Sequence, residues 1–246
     1  MLACRLALAA GGDARPPIVL IHGAANSSGV WTHWRKALSD LGWNSYALDL
    51  RGHGASGATD LSDTRMSDYA DDVRALVREL PRRPVLVGWS MGGLVAMMVA
   101  AAGDAIACVG LAPSMPALSR DASLPLRHGI FGPEEYGIVT RDPAQQPAMP
   151  DLDHDERRMA LASLGRESRL ARDERAAGVV VERLPCPLLV VTGTEDEQWP
   201  RSRYAAMHLQ ADWMDAAGAS HWGLVLNRRA LTHLVPAVTA WIDRIH

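Results

Sequence analysis

Short apolar runs alternate along the chain with longer segments in which apolar residues recur at helical spacing. The short runs have the pattern of strands buried on both faces of a parallel sheet, and they lie at residues 18–21, 45–50, 85–87 and 106–112. The segments between them are typical of helices that pack on such a sheet, and they span about 30–41, 67–80 and 94–102. This alternation predicts an α/β protein with a doubly wound, mostly parallel sheet and right-handed crossovers.

The alternation stops after residue 112. Residues 113–185 contain no convincing parallel strand, and their first half is rich in proline, glycine and methionine. Two charged segments of helical periodicity follow, at about 153–164 and 166–178. We interpret the whole stretch as a mainly helical lid that is inserted into the sheet domain. An irregular connection on the outside of the sheet is the alternative.

The sheet pattern resumes after this insertion. The sequence predicts a strand at 187–192, a helix at about 201–210, a last strand at about 212–216, and an amphipathic helix that continues to the C-terminus. The predicted organisation is therefore one α/β core, residues 1–112 and 186–246, interrupted by a helical lid at 113–185.

The amino-acid composition mainly excludes classes of function. The 246 residues are 48% hydrophobic and carry a net charge of −3, so the chain can bury a large core and shows no basic surface for nucleic acid. No apolar run is long enough to span a membrane. The partner that we expect is therefore a small molecule, with no nucleic acid and no membrane.

The cysteines and the N-terminal residues bear on the cellular compartment. Cys4, Cys108 and Cys186 are too few and too widely spaced for a disulfide framework. Residues 4–10 have the pattern of a first β-strand that turns at residues 11–13, and the charged and apolar regions of a signal peptide are missing. We expect a cytoplasmic protein.

The densest chemical signal is the hexapeptide Gly88-Trp89-Ser90-Met91-Gly92-Gly93. It follows an apolar strand and precedes an apolar helix, which is the setting of a nucleophile elbow. In such a turn the serine adopts a strained backbone conformation, and the glycines let the chain pass closely on both sides. Ser90 is therefore the candidate nucleophile. The N–H of Met91, at the start of the helix, is a candidate oxyanion donor.

A serine at its ordinary pKa needs a base, and the base needs a third group that holds its tautomer. His221 is the candidate base, because it follows the last predicted strand in a Gly/Ser loop. Asp196, one loop earlier, is the candidate orienting acid, and Glu195 and Glu197 are the local alternatives. The order serine, aspartate, histidine is the order that a nucleophile-elbow architecture requires.

Two further histidines follow predicted strands. His53 lies in a glycine-rich turn, and we interpret it as structural. His22 is expected to shape the loop on the oxyanion side, where the N–H of Ala24 is the expected second oxyanion donor. No metal-ligand cluster and no phosphate-binding loop is evident in the sequence, so the sequence implies no metal and no cofactor.

Taken together, four segments resemble the α/β-hydrolase-fold serine hydrolases, in the lid-bearing group of esterases, lactonases and carbon–carbon bond hydrolases. The segments are His22-Gly23 with Trp31 after it, Asp49-Leu50-Arg51-Gly52-His53-Gly54-Ala55-Ser56, the elbow at 88–93, and 193–200 followed by Ser220-His221. The resemblance implies that the loop at 49–56 is structural. It also implies that serine at position 90 excludes dehalogenase and epoxide hydrolase chemistry, which need a carboxylate there.

We therefore expect a serine hydrolase that cleaves a carboxylic ester of a small to medium apolar molecule through an acyl-enzyme. An acyltransferase, a lactonase and a cofactor-free carbon–carbon bond hydrolase would use the same three residues and remain open alternatives. Neither the natural substrate nor the oligomeric state follows from the sequence.

The pocket is expected between the elbow and the lid. The tryptophans predicted to bind substrate are Trp31, Trp89, Trp199 and Trp222. The lid residues predicted to wall the pocket are Met115, Leu118, Ile130, Phe131 and Met149. These side chains favour an apolar ester or lactone. The catalytic loops contain no arginine or lysine, which disfavours a strongly anionic substrate.

Overall fold

The computed structural model describes residues 2–9 and 15–245. In chain order, the described strands are β1 (Cys4–Ala7), β2 (Ile18–Ile21), β3 (Ser45–Leu48), β4 (Val85–Trp89), β5 (Ala107–Leu111), β6 (Ile130–Phe131), β7 (Glu167–Ser168), β8 (Leu188–Gly193) and β9 (Asp212–Ala216). The main sheet has the order β1-β3-β2-β4-β5-β8-β9. β1 is antiparallel to β3, and the other strands pair in parallel. This arrangement confirms the predicted fold class. The turn predicted at residues 11–13 lies outside the described residues.

Helices cover both faces of this sheet. They are α1 (Thr32–Asp40), α2 (Met66–Glu79), α3 (Met91–Ala101), α4 (His154–Ser163), α5 (Arg169–Ala177), α6 (Gly223–Leu226) and α7 (Arg228–Ile245), with short 3-10 turns at Ser28–Trp31, Pro133–Tyr136 and Arg201–Tyr204. None of the described helices combines the length and the apolar character needed to cross a lipid bilayer.

The central strands supply side chains to two separate cores. Ile18 and Leu20 of β2 pack with α1, α6 and α7, whereas Val19 and Ile21 pack with α2 and α3. This follows from the alternation of side chains along a strand. Because both faces are covered, the strand has to be apolar throughout, which is the pattern seen in its sequence.

Residues 113–185 lie between β5 and β8 and add no strand to the main sheet within the described residues. They contain α4, α5 and a separate antiparallel pair formed by β6 and β7. Residues 167–168 are therefore strand rather than helix, and α5 starts at Arg169, with the Ser168 hydroxyl accepting a hydrogen bond from the N–H of Ala171. α4 matches the predicted helix closely, because Asp153 and Glu156 form a capping box at its start.

The helix predicted at 201–210 is wrong beyond its first turn. Only Arg201–Tyr204 is helical, as a 3-10 turn. The Tyr204 hydroxyl donates to the carbonyl of Pro113, and His208 Nε2 lies 2.8 Å from the carbonyl of Val181. These contacts tie the segment to the start and the end of the insertion. Packing has therefore overridden a local helical preference.

Candidate active site

Ser90 stands at the carboxyl end of the central strand β4 and immediately before α3. Its backbone has φ 54° and ψ −119°, a conformation that side-chain-bearing residues rarely adopt. A Cβ atom on Gly88 would lie 2.1 Å from the carbonyl oxygen of Gly92, and one on Gly92 would lie 2.2 Å from that of Ile21. Only glycine fits at either position, so the tight turn that presents Ser90 depends on both.

Asp196 and His221 meet across the loops that follow β8 and β9. Asp196 Oδ2 lies 2.8 Å from His221 Nδ1, and its other oxygen accepts the N–H groups of Gln198 at 3.1 Å and Trp199 at 2.9 Å. Asp196 is buried, whereas its neighbours Glu195 and Glu197 are exposed. The geometry thus singles out Asp196 as the histidine's partner.

His221 is also held from the elbow side. The indole Nε1–H of Trp89 donates to the carbonyl of His221 at 3.0 Å, and the rings of Trp89 and Trp199 lie 5.2 Å and 6.1 Å from its ring. With Nδ1 occupied by Asp196, Nε2 is the nitrogen left for proton transfer.

Ser90 and His221 line one cavity of about 430 Å³. The loop after β2 forms another part of its wall through Gly23 and Ala24. Within the described residues, no protein hydrogen bond uses the N–H of Ala24 or of Met91. Both predicted oxyanion donors are therefore available to a ligand. The site brings the candidate nucleophile, the candidate base and the predicted oxyanion loop to one cavity.

His22 shapes the loop that carries Ala24. Its Nε2 accepts the N–H of Leu50 at 3.2 Å, so Nδ1 must carry the proton that bonds the carbonyl of Gly23 at 2.8 Å. Burial, together with the charge of His53, lowers the pKa of His22 to about 4. His22 is thus a neutral structural residue that sets the path of the loop.

One buried acid was not foreseen from the sequence. Glu167 of β7 accepts the N–H of Ala25 at 3.0 Å and the hydroxyl of Tyr69, and it lies 3.5 Å from Nε2 of His53. Ala25 itself has φ 54°. The N–H of Gly165 donates to the carbonyl of Ala25 at 2.8 Å. The insertion therefore forms hydrogen bonds with both backbone groups of this strained residue. Nothing in the charged segment around Glu167 signals burial.

The predicted substrate-binding tryptophans divide into two groups. Trp89, Trp199 and Trp222 line the cavity. Trp31 does not, because it is fully buried and packs edge-on against Trp34, with ring centroids 5.8 Å apart. The helical spacing of Trp31 in the sequence indicates a core position. The structure therefore corrects its predicted role from substrate binding to packing.

The insertion contributes to the cavity, but through other residues than those predicted. None of Met115, Leu118, Ile130, Phe131 and Met149 lines it. Met149 is buried in the core, and Leu118 and Ile130 face outward. The insertion residues that do line the cavity are Tyr136, Ile138, Pro147, Ala148, Pro150, Leu164 and Arg175. The apolar wall is therefore real, but it includes an arginine that the sequence pattern did not reveal.

Within the described residues, no group of three or more histidine, cysteine, aspartate or glutamate side chains is arranged to hold a metal ion.

Comparison with known proteins shows the family of this chain. A model of the alpha/beta hydrolase family matches residues 18–232. The chain therefore belongs to the alpha/beta hydrolase family. A monoacylglycerol lipase of Mycolicibacterium smegmatis is 31% identical over 76% of this chain and 72% of its own length. A mouse protein phosphatase methylesterase is 36% identical over 41% of this chain, and the match spans only 27% of that enzyme's length.

Solved structures show the same fold at lower identity. An esterase from Thermogutta terrifontis superposes with a TM-score of 0.70 at 20% identity, over 100% of this chain and 94% of that one. A monoacylglycerol lipase of Paleococcus ferrophilus gives a TM-score of 0.69 at 20% identity, with both chains fully covered. The relatives named here are esterases and lipases of one fold.

Proposed function

We propose that this alpha/beta hydrolase cleaves a carboxylic ester of a small to medium, largely apolar molecule, with Ser90 as nucleophile, His221 as base and Asp196 as orienting acid. One observation carries the proposal. The strained Ser90 shares a cavity with His221, whose Nδ1 is already held by a buried carboxylate at 2.8 Å. The names of the relatives, which are esterases and lipases, support the same class of reaction.

The proposed reaction proceeds in two steps. His221 Nε2 takes the hydroxyl proton of Ser90 as the oxygen attacks the ester carbonyl, and the N–H groups of Met91 and Ala24 stabilise the oxyanion. His221 then protonates the departing alcohol. A water molecule, activated by the same histidine, releases the acid and restores Ser90. Asp196 stabilises the protonated histidine throughout.

We further propose that residues 113–185 act as a lid over this site. Side chains of this segment, among them Ile138, Leu164 and Pro147, line the cavity together with Ser90. An apolar wall of this kind favours an apolar acyl or alcohol group and excludes water from the reacting atoms.

A cytoplasmic location is also part of the proposal. The three cysteines are free thiols in the structure, as is usual in a reducing compartment. Cell fractionation provides the test, and recovery of the protein only outside the cytoplasm contradicts it.

Substitution of Ser90 by alanine tests the catalytic proposal directly. We expect Ser90→Ala to lower kcat for p-nitrophenyl esters by about 10⁴- to 10⁶-fold while the melting temperature stays close to wild type. A fluorophosphonate probe should label the wild type and fail to label this variant.

Ser220 provides the matched control, because it is the other serine that lines the cavity. Its hydroxyl accepts the N–H of Gly223 at 3.1 Å, which is a structural contact within the loop. Ser220→Ala should keep both labelling and turnover. Ester hydrolysis near the wild-type rate in Ser90→Ala, or loss of labelling only in Ser220→Ala, refutes the assignment.

A further inference from the structure

Arg175 places a positive charge in the wall of the candidate active-site cavity. It lies in the last turn of α5 and is the only lysine or arginine among the described residues that line this cavity. The catalytic loops themselves contain no such residue, so the cation reaches the site only because the insertion folds over it. A cavity that combines apolar side chains with a single cation, beside the acids Glu195, Asp196 and Glu197, is suited to an amphipathic substrate rather than a uniformly apolar one.

The guanidinium of Arg175 is only partly used by the protein. Its Nε donates to the carbonyl of Ala171 at 3.4 Å, and one terminal nitrogen donates to the hydroxyl of Tyr136 at 3.2 Å. A guanidinium has five N–H donors, so several are left for a ligand. The Tyr136 hydroxyl accepts from Arg175, which leaves its own O–H free to donate to the same ligand. Tyr136 also lines the cavity.

Arg175 differs in this respect from the other arginines of its helix. Arg169 and Arg172 both form ion pairs with Glu135. Among the described residues, no carboxylate forms an ion pair with Arg175. Arg169 and Arg172 are thus neutralised locally, whereas the arginine that lines the cavity has no carboxylate partner in an ion pair within the described residues.

A buried acid that acts on the charge of Arg175 does not serve as that partner. Glu167 is close enough to act on the charge of Arg175, but its oxygens are engaged by the N–H groups of Ala25 and Ser168 and by the hydroxyl of Tyr69. Burial lowers the pKa of Arg175, whereas Tyr136 and Glu167 raise it, and the net shift is upward. Arg175 is therefore a charged group with donors to spare.

We propose that Arg175 and the Tyr136 hydroxyl bind a carboxylate carried by the substrate, so that the preferred substrate is a monoester of a dicarboxylic acid or a similar acid-bearing ester. The proposal rests on ester hydrolysis at Ser90 and names the substrate class of that site. The planar guanidinium can bind both oxygens of a carboxylate. A carboxylate fits better than a phosphate, since the carboxylates of Glu195 and Glu197 also line the cavity and repel additional negative charge.

A pair of matched esters separates this proposal from general ester hydrolysis. The first is p-nitrophenyl hexanoate, and the second is the mono-p-nitrophenyl ester of adipic acid, which has the same chain length and a terminal carboxylate. We expect Arg175→Gln to lower kcat/KM for the adipate ester by about 10- to 100-fold, the loss of a charge-assisted hydrogen bond. Its effect on the hexanoate ester should stay within about threefold.

Arg175→Lys and Arg169→Gln complete the series. Lysine keeps the charge without the planar fork, so it should restore part of the preference for the adipate ester. Arg169 is on the same helix and pairs with Glu135, so its substitution should leave the ratio of the two esters unchanged. Equal losses on both esters in Arg175→Gln overturn the proposal, because the arginine would then only maintain the shape of the cavity.

A binding measurement keeps the test independent of turnover. Monoethyl adipate and ethyl hexanoate are titrated into Ser90→Ala by calorimetry. We expect the acid-bearing ester to bind about 10-fold more tightly or better, and we expect this advantage to disappear in the double variant Ser90→Ala/Arg175→Gln. If the two esters bind equally well to Ser90→Ala, the carboxylate site is refuted, even where Ser90 proves to be the nucleophile.

Discussion

Among the described residues, two pairs of a buried or partly buried histidine with a buried carboxylate differ in what surrounds them. His221 and Asp196 are 2.8 Å apart, and His221 retains 16% of its side-chain exposure beside the cavity. His53 and Glu167 are 3.5 Å apart, and neither side chain has any exposed surface. The chemical groups are almost the same, but only the first pair can reach a substrate.

The second pair, His53 and Glu167, makes its contacts within the protein. His53 Nδ1 bonds the carbonyl of Arg51 at 2.9 Å, and Nε2 faces Glu167, so neither ring nitrogen remains for a proton relay. Burial alone would raise the pKa of Glu167, but the charge of His53 outweighs it and lowers that pKa to about 2. Glu167 is therefore a permanent anion that holds the insertion against the N–H of Ala25. Access to the cavity therefore separates the candidate catalytic pair from the buried structural pair.

Replacing each carboxylate by its amide gives the sharpest contrast between the pairs. Asp196→Asn should lower kcat by about 10⁴-fold, because an amide N–H facing Nδ1 of His221 favours the wrong tautomer. The melting temperature should change by only a few degrees, since the amide oxygen can still accept the N–H groups of Gln198 and Trp199. Steady-state kinetics and a thermal melt measure both effects. Glu195→Gln, at an exposed neighbour, is the control and should behave as wild type on a neutral ester such as p-nitrophenyl hexanoate.

The same change at the sealed pair, His53 and Glu167, should act mainly on stability. Glu167→Gln leaves His53 without its counter-charge, and we expect the free energy of unfolding to fall by about 3 kcal/mol. We also expect kcat to fall about 10-fold with little change in KM, because Ala25 shifts and carries the oxyanion donor Ala24 with it. Urea unfolding and kinetics test the two parts. A loss of 10⁴-fold in kcat with unchanged stability would mean that the two pairs have been assigned the wrong way round.

The smallest expected effect is the pH dependence of the sealed pair. Burial alone would lower the pKa of His53, but the carboxylate of Glu167 outweighs it and raises that pKa above its ordinary value of 6.5. The contribution of His53 to stability is therefore complete below about 6.5 and is lost as pH rises through the raised pKa. The contribution of Glu167 is complete above its ordinary value of 4.5 and is lost only as pH falls towards 2.

The difference in unfolding free energy between wild type and Glu167→Gln should consequently shrink from about pH 6 to about pH 9. Urea titrations at the two pH values measure it. A difference that stays constant would show that His53 is neutral in the folded protein over this range, and that Glu167 is held by its hydrogen bonds alone.

Much of the core was predictable because its signals are local. The central strands are apolar on both faces, and the fold class follows from their alternation with helices. The elbow could be recognised because glycine is the only residue type that the close backbone contacts allow at positions 88 and 92. The short loops after β8 and β9 limited the choice of acid and base to a few residues, among which Asp196 and His221 are the pair that the structure brings together.

The insertion was less predictable because its side chains are sorted by distant contacts. Arg175 and Arg172 belong to the same charged helix, yet one lines the cavity and the other pairs with Glu135. Trp31 shows a second limit of prediction from sequence. Its helical spacing indicates burial but cannot distinguish a core position from a pocket position. Helical periodicity reports which face is covered and not what covers it.

The sequence by itself determined the strand–helix order, the strained turn at Ser90 and the order of the candidate catalytic loops. These features depend on side-chain periodicity and backbone sterics within a few residues. Only the tertiary structure decided which insertion residues enter the cavity and which histidine is sealed. The bond between Glu167 and Ala25 joins residues 142 positions apart, and such a contact exists only when both segments have been packed against the sheet.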